Sequence, residues 1–219
     1  MTYSQPYPRN HLYSIDAGTL VAQKKLSRRF GSIESFYPQP LESFLDIGCA
    51  RGFFAFEAAV RSQRPRVVGV DISAEYIEFC QRVKSYLHLP NVHFHKQFLH
   101  ETVRDLDEFG GPFQMVLLLN TYHYLFYGSG GESFAYFDHH TIFCFLRKLC
   151  SGLFLFTAPL ELKHCPGVIR KSAVAHGKTN YSKSEILSAA SKFFEIETIT
   201  ASGRRPLFVM RPLPAKSPD

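Results

Sequence analysis

A doubly wound α/β fold, built on a mostly parallel sheet of seven strands with an antiparallel last strand, is predicted by three features of this 219-residue sequence. Short apolar runs alternate with longer amphipathic stretches, the pattern of helices that return a chain to a parallel sheet. The first run is followed by a turn bearing small residues, "DIGCARG" at 46–52, which opens onto a bulky apolar stretch. A later run, "FQMVLLLN", is continuously apolar, as a strand covered on both faces should be.

The elements follow in order. Residues 1–40 read as an N-terminal helical cap segment, with a helix from Thr19 to Arg29 starting after Gly18. Its Lys24, Lys25, Arg28 and Arg29 are read as a solvated basic face. "SFLDI" is the first strand of the main domain, residues 41–211, and "FFAFEAAVR" the helix after it. "RVVGV" is a strand, and the helix "SAEYIEFCQRVKSYL" is capped by Ser73. "NVHFHKQF" and "FQMVLLLN" are strands, "TIFCFLRKL" a helix, "GLFLFT" a strand and "YSKSEILSAASKF" a helix. "EIETITAS" and "RPLFVMR" pair around "GRR", and residues 212–219 form a disordered tail. Two connections, Tyr122 to His140 and Ala158 to Tyr181, are long enough to be binding loops.

Composition narrows the function classes. A hydrophobic fraction of 45% with 20% charged residues is that of a globular core, and 21 phenylalanines make it aromatic. No apolar run approaches the ~20 residues of a membrane span, and the polar start lacks a signal peptide, so a cytoplasmic location is expected. Five scattered cysteines without a C-x-x-C pair predict neither disulfides nor zinc. A net charge of +6 permits an anionic partner without indicating nucleic acid.

Three nucleotide cradles compete for residues 48–54. A phosphate-binding P-loop needs Lys-Ser or Lys-Thr after Gly52, which is absent. A dinucleotide fingerprint needs glycines where Ala50 and Phe53 stand, and those side chains obstruct a pyrophosphate and close helix packing. The remaining pattern is G-x-[GA]-x-G preceded by Asp46, a cradle for a nucleoside with an amino-acid tail. Nineteen positions beyond Gly52, "VVGVDIS" ends a strand in Asp71, where a carboxylate can accept from both ribose hydroxyls.

On these residues, and on the closing antiparallel pair, the chain resembles the class I S-adenosylmethionine-dependent methyltransferases, a Rossmann-like family, over roughly residues 40 to 211. The resemblance implies S-adenosyl-L-methionine as cofactor and S-adenosyl-L-homocysteine as product, with no metal. It implies that Asp46, Gly48, Cys49, Ala50 and Gly52 cradle the methionine end, Asp71 the ribose and Ile72 the adenine. Gln97 and Phe98 fall where the family binds the adenine amino group, and Asn120 would orient cofactor or acceptor.

The acceptor is expected beyond the fourth strand, at "LLLNTYHYLFYG". His123 is the candidate general base, since an unperturbed histidine titrates near pH ~6.5. Tyr122 and Tyr124 beside it, Tyr136 and His140 in the following loop, and Tyr13 from the N-terminal segment are candidate acceptor contacts. Glu132 and Asp138 could also reach in. His139–His140 and His93/His95 lack convergent metal-ligand spacing. A small-molecule acceptor methylated on oxygen or nitrogen is the leading expectation. A tRNA or rRNA methyltransferase, favoured by a pI of 9.1, and a catalytically silent cofactor-binding partner protein are the alternatives.

Overall fold

A computed structural model of the protein describes residues 13–61, 64–128, 134–178, 180–199 and 205–214. It contains a two-stranded hairpin and a seven-stranded mixed sheet in which six strands run parallel and the last in sequence is antiparallel. The chain divides after Lys96 into two compact units.

In the first unit, β1 (Tyr13–Asp16) and β2 (Thr19–Ala22) form the hairpin, joined by Ala17 and Gly18 at φ 46° and 80°. Two consecutive positive φ values match the twist of paired strands, so Gly18 turns a hairpin where the sequence reading began a helix. The helix of this region, α1 (Lys24–Gly31), starts later and buries Leu26. β3 (Ser43–Ile47) is buried at every position, as a central parallel strand requires. α2 (Phe53–Ala59) exposes almost nothing, with three phenylalanines and three alanines buried. β4 (Arg66–Asp71) pairs in parallel with β3 on one side and with β5 (Val92–Lys96) on the other. Between them, α3 (Ala74–Leu87) begins where Ser73 Oγ accepts from the Tyr76 N–H, as the sequence predicts.

The second unit opens with α4 (Leu99–Arg104), which the sequence reading lacks. β6 (Phe113–Leu119) leads to α5 (Tyr122–Tyr127), a short helix where a loop is predicted. α6 (His139–Leu149) starts from an Asp138 cap and runs into β7 (Cys150–Thr157), parallel to β6. The second predicted loop also contains a helix, α7 (Gly167–Ala175), seated by Ile169 and Ala173 at i, i+4 spacing. α8 (Lys183–Ala190) precedes β8 (Phe194–Thr198) and β9 (Leu207–Pro212), and β9 is antiparallel to both β7 and β8. Glu132 and most of the predicted tail lie outside the described residues. Among the described residues no helix is long and apolar enough to cross a membrane, and no group of three or more His, Cys, Asp or Glu could hold a metal ion.

Candidate functional site

The glycine loop of the first unit is built by β3 and closed by β4. Beyond Ile47 the backbone takes positive φ at Gly48 (73°), Ala50 (49°) and Gly52 (77°). Val70 O accepts from the Gly48 and Cys49 N–H groups at 2.8 and 3.0 Å, and Asp71 Oδ2 from the Ala50 N–H at 2.9 Å. Asp71 Oδ1 accepts from the Ser73 N–H at 3.0 Å. The ribose carboxylate of the sequence reading therefore also closes the loop, and with the Ile72 N–H acting on it as well these backbone donors take up much of its acceptor capacity. Burial raises the Asp71 pKa, opposed by these backbone donors. An alanine in the left-handed region is strained by about 1–2 kcal/mol. Here two further bonds hold the loop: Cys80 Sγ to Ala50 O at 3.4 Å, and Tyr13 Oη to Arg51 O at 2.7 Å.

Gly52 is required by what lies behind it. A Cβ there would come 2.9 Å from both Cys80 Sγ and Phe56 Cε2. The Cys49 thiol is buried against Cys80, so the loop offers a ligand its backbone at that position. Asp46, 3% exposed, is the outstanding side chain: its Oδ2 has no hydrogen-bond partner. Burial raises its pKa to about 7, with Arg29 opposing and Asp71 adding to the rise. Ile72, just past β4, exposes 37% of its surface although large and apolar.

Tyr13 was expected as an acceptor contact, and the structure engages its hydroxyl on the loop. Its ring meets Phe53 at 5.6 Å and Phe79 at 6.4 Å between centroids. The Arg51 guanidinium lies over Phe79 at 5.2 Å.

In the second unit, Gln97 turns toward α4: its Nε2 donates to Asp105 Oδ2 at 2.6 Å, and its Oε1 accepts weakly from the Thr102 hydroxyl at 3.5 Å. The Phe98 N–H donates to Glu101 Oε2, starting that helix. Asn120 takes φ 63° directly after β6, a conformation asparagine tolerates, and its N–H donates to Thr157 O at 2.7 Å.

Tyr122 is fully buried. His139 Nε2 faces the Asn180 carbonyl at 2.9 Å and must donate to it, so His139 Nδ1 accepts from the Tyr122 hydroxyl at 2.6 Å. The hydroxyl expected to face an acceptor instead ties α5 to α6. Tyr136 Oη accepts from the His100 backbone N–H at 2.9 Å and bonds His100 Nδ1 at 2.8 Å. His140 lies exposed on α6, its ring 5.0 Å from that of Phe193. Tyr124 is half-buried.

His123 differs from all of these. It is 2% exposed, and neither ring nitrogen has a partner. Burial, aided by the charge of Arg205, pushes its pKa down to about 3. Titration near neutrality, the basis for reading it as a general base, is thus removed by the fold. Arg205 and Cys80 carry no motif that marks them in the sequence, and His139 stands out there only within a His-His pair that lacks metal-ligand spacing. An open cavity of about 620 Å³ lined by Lys163, Tyr181, Lys183 and Leu187 contains none of the predicted site residues.

A strand, a left-handed glycine loop and a second parallel strand ending in a carboxylate place the first unit in the doubly wound α/β class. A family model described as a methyltransferase domain matches residues 39–126, the span from the entry to β3 through α5. The PH0226 protein of Pyrococcus horikoshii OT3 superposes with a TM-score of 0.62 at 16% identity, covering 87% of this chain and 92% of that one. The N-methyltransferase NodS of Bradyrhizobium japonicum WM9, solved with S-adenosyl-L-homocysteine, gives 0.58 at 14% identity over 85% and 86%. The bifunctional kinase-methyltransferase WbdD gives 0.63 at 16% identity over 84% of this chain but only 39% of its own length. No curated protein matches the chain. Over residues 39–126 the chain is similar to a methyltransferase domain, and its doubly wound sheet shares the fold of these solved structures.

Proposed function

We propose that the protein is an S-adenosylmethionine-dependent methyltransferase acting on an oxygen or nitrogen of a small-molecule acceptor. The observation that carries this reading is the buried, unpartnered Asp46 Oδ2 at the end of β3, two residues before the left-handed loop. A buried acceptor atom without a donor is unfavourable, and the cationic amino group of a methionine tail would satisfy it. Exposed Ile72 suits the adenine, and the acceptor capacity Asp71 keeps beside its backbone donors suits a ribose hydroxyl. The residues present fit the cofactor.

When bound, S-adenosylmethionine supplies a sulfonium methyl open to in-line displacement. The chain's own part is alignment, which alone lowers such barriers substantially. Asp71 and Tyr13 fix the loop, and Asp46 and the loop backbone fix the methionine end. Asn120, held in a left-handed conformation, and His123, neutral with both nitrogens unengaged, are the polar groups assigned to the acceptor. A neutral imidazole can donate to or accept from an acceptor group. A conjugate acid with a pKa of about 3 makes it a weak base, so proton removal is not its main contribution.

The test is transfer of label from methyl-labelled S-adenosylmethionine into a cell extract, with Asp71→Ala as control and the products split into small molecules, RNA and protein. Label in the small-molecule fraction, lost in the variant, is the expected result. Label in RNA would replace the acceptor class. No transfer despite tight S-adenosylhomocysteine binding would make the protein a catalytically silent binder.

A further inference from the structure

The end of the sheet where β6, β7 and β9 meet gathers positive charge, and among the described residues no carboxylate pairs with it. Leu207, the first residue of β9, pairs with Thr157, the last of β7, and Thr157 O accepts from the Asn120 N–H at 2.7 Å. Arg205, two residues before Leu207, and His123, three after Asn120, are thereby brought to the same sheet end. Their proximity shows in the electrostatics: the charge of Arg205 acts on His123, on Tyr124 and on the Cys165 thiol. Arg170, from α7, acts on the same thiol. Arg205 is exposed, and among the described residues neither arginine has an ion-pair partner. Among the described residues no carboxylate acts on His123, Tyr124 or Cys165. A buried imidazole with two unengaged nitrogens completes the cluster.

Each part calls for the same ligand chemistry. An unpaired guanidinium binds carboxylates and phosphates in a planar, two-pronged geometry. An imidazole kept neutral beside such a cation donates one N–H to an anion without having to take up a proton. A cationic acceptor would meet uncompensated repulsion at this sheet end. We propose that the methyl acceptor carries an anionic group, a carboxylate or a phosphate monoester, held between Arg205 and the buried imidazole of His123, with Tyr124 as a further hydroxyl donor. This specificity assignment rests on the methyl-transfer reading, but the anion site can be tested apart from it.

The probes are inorganic phosphate and acetate, titrated separately into the full chain with and without saturating S-adenosylhomocysteine. The readout is the ring ¹H and ¹⁵N signals of His123, assigned by comparison with His123→Gln. Saturable shifts with at least one anion, weakened roughly tenfold in Arg205→Gln, are expected from the loss of one charge-assisted contact. Because Arg205 is exposed, the variant should melt with the parent, which keeps the comparison one of binding. A response to phosphate alone would assign a phosphorylated acceptor, and a response to acetate alone a carboxylic acid. The proposal is overturned if neither anion moves the His123 signals, or if Arg205→Gln binds as tightly as the parent. Failure to bind S-adenosylhomocysteine would remove the methyl-transfer reading, while the titration without it would still decide the anion site.

Discussion

At the scale of single residues, burial moves two ionisable groups away from the pKa values they have in water. Asp46 has a folded-state pKa of about 7 against 3.8 for a free side chain. Between these values the folded state binds more protons than the unfolded one, so its stability falls as pH rises through that window and stays lowered above it. Asp46→Asn should therefore stabilise the ligand-free protein at pH ~8 by on the order of a few kcal/mol, seen as a raised melting temperature, and have little effect near pH ~4. The same variant should lose cofactor affinity, and paired melting and calorimetric titrations check both signs. A destabilised Asn variant would show that the carboxylate is satisfied in the free protein. His123 is the opposite case, a base kept neutral by burial. Its ring signals should not titrate between pH ~5 and ~8, the range in which an ordinary histidine does. An inflection near neutrality would restore it as a general base.

At the scale of elements, the loop between β3 and α2 and the joint between α5 and α6 each contain one contact that a single substitution removes. Gly52→Ala would set a Cβ against Cys80 and Phe56 at φ 77°, so a loss of about 1–3 kcal/mol is expected in denaturant unfolding, with weaker cofactor binding. Tyr122→Phe would leave His139 Nδ1 buried without its donor, for a loss of similar size, about 1–3 kcal/mol. Its effect on S-adenosylhomocysteine affinity should be small, because the hydroxyl serves the second unit's packing. A large drop in affinity at unchanged stability would return Tyr122 to the ligand. These elements also show why local reading has limits. The six residues of α5 and the nine of α7 are too short to carry a clear helical period, and each is fixed by a few buried side chains. The hairpin at 13–22 was hidden by a glycine that serves equally well before a helix or inside a two-residue turn.

For the whole molecule, a net charge of +6 leaves room for long-range attraction to polyanions. If the acceptor is small, product formation should change little between low and physiological salt, whereas RNA substrates would impose a steep fall. Rates measured across that salt range decide between them. The seven strands along the chain, the glycine loop and its two aspartates were legible because each depends on local sequence: apolar runs of strand length, left-handed turn positions and a fixed spacing to the next strand. Side-chain partnership was not legible, because it depends on residues far apart in the chain. Tyr13 meets Arg51, Tyr122 meets His139, and Arg205 acts on His123 only after the strands are in register. The sequence by itself determined the α/β class, the cradle and the family resemblance, since periodicity and spacing are properties of neighbours. Only the tertiary structure decided the charge state of Asp46 and His123 and which hydroxyls remain for a ligand. Desolvation and hydrogen-bond pairing exist only where distant segments exclude water together.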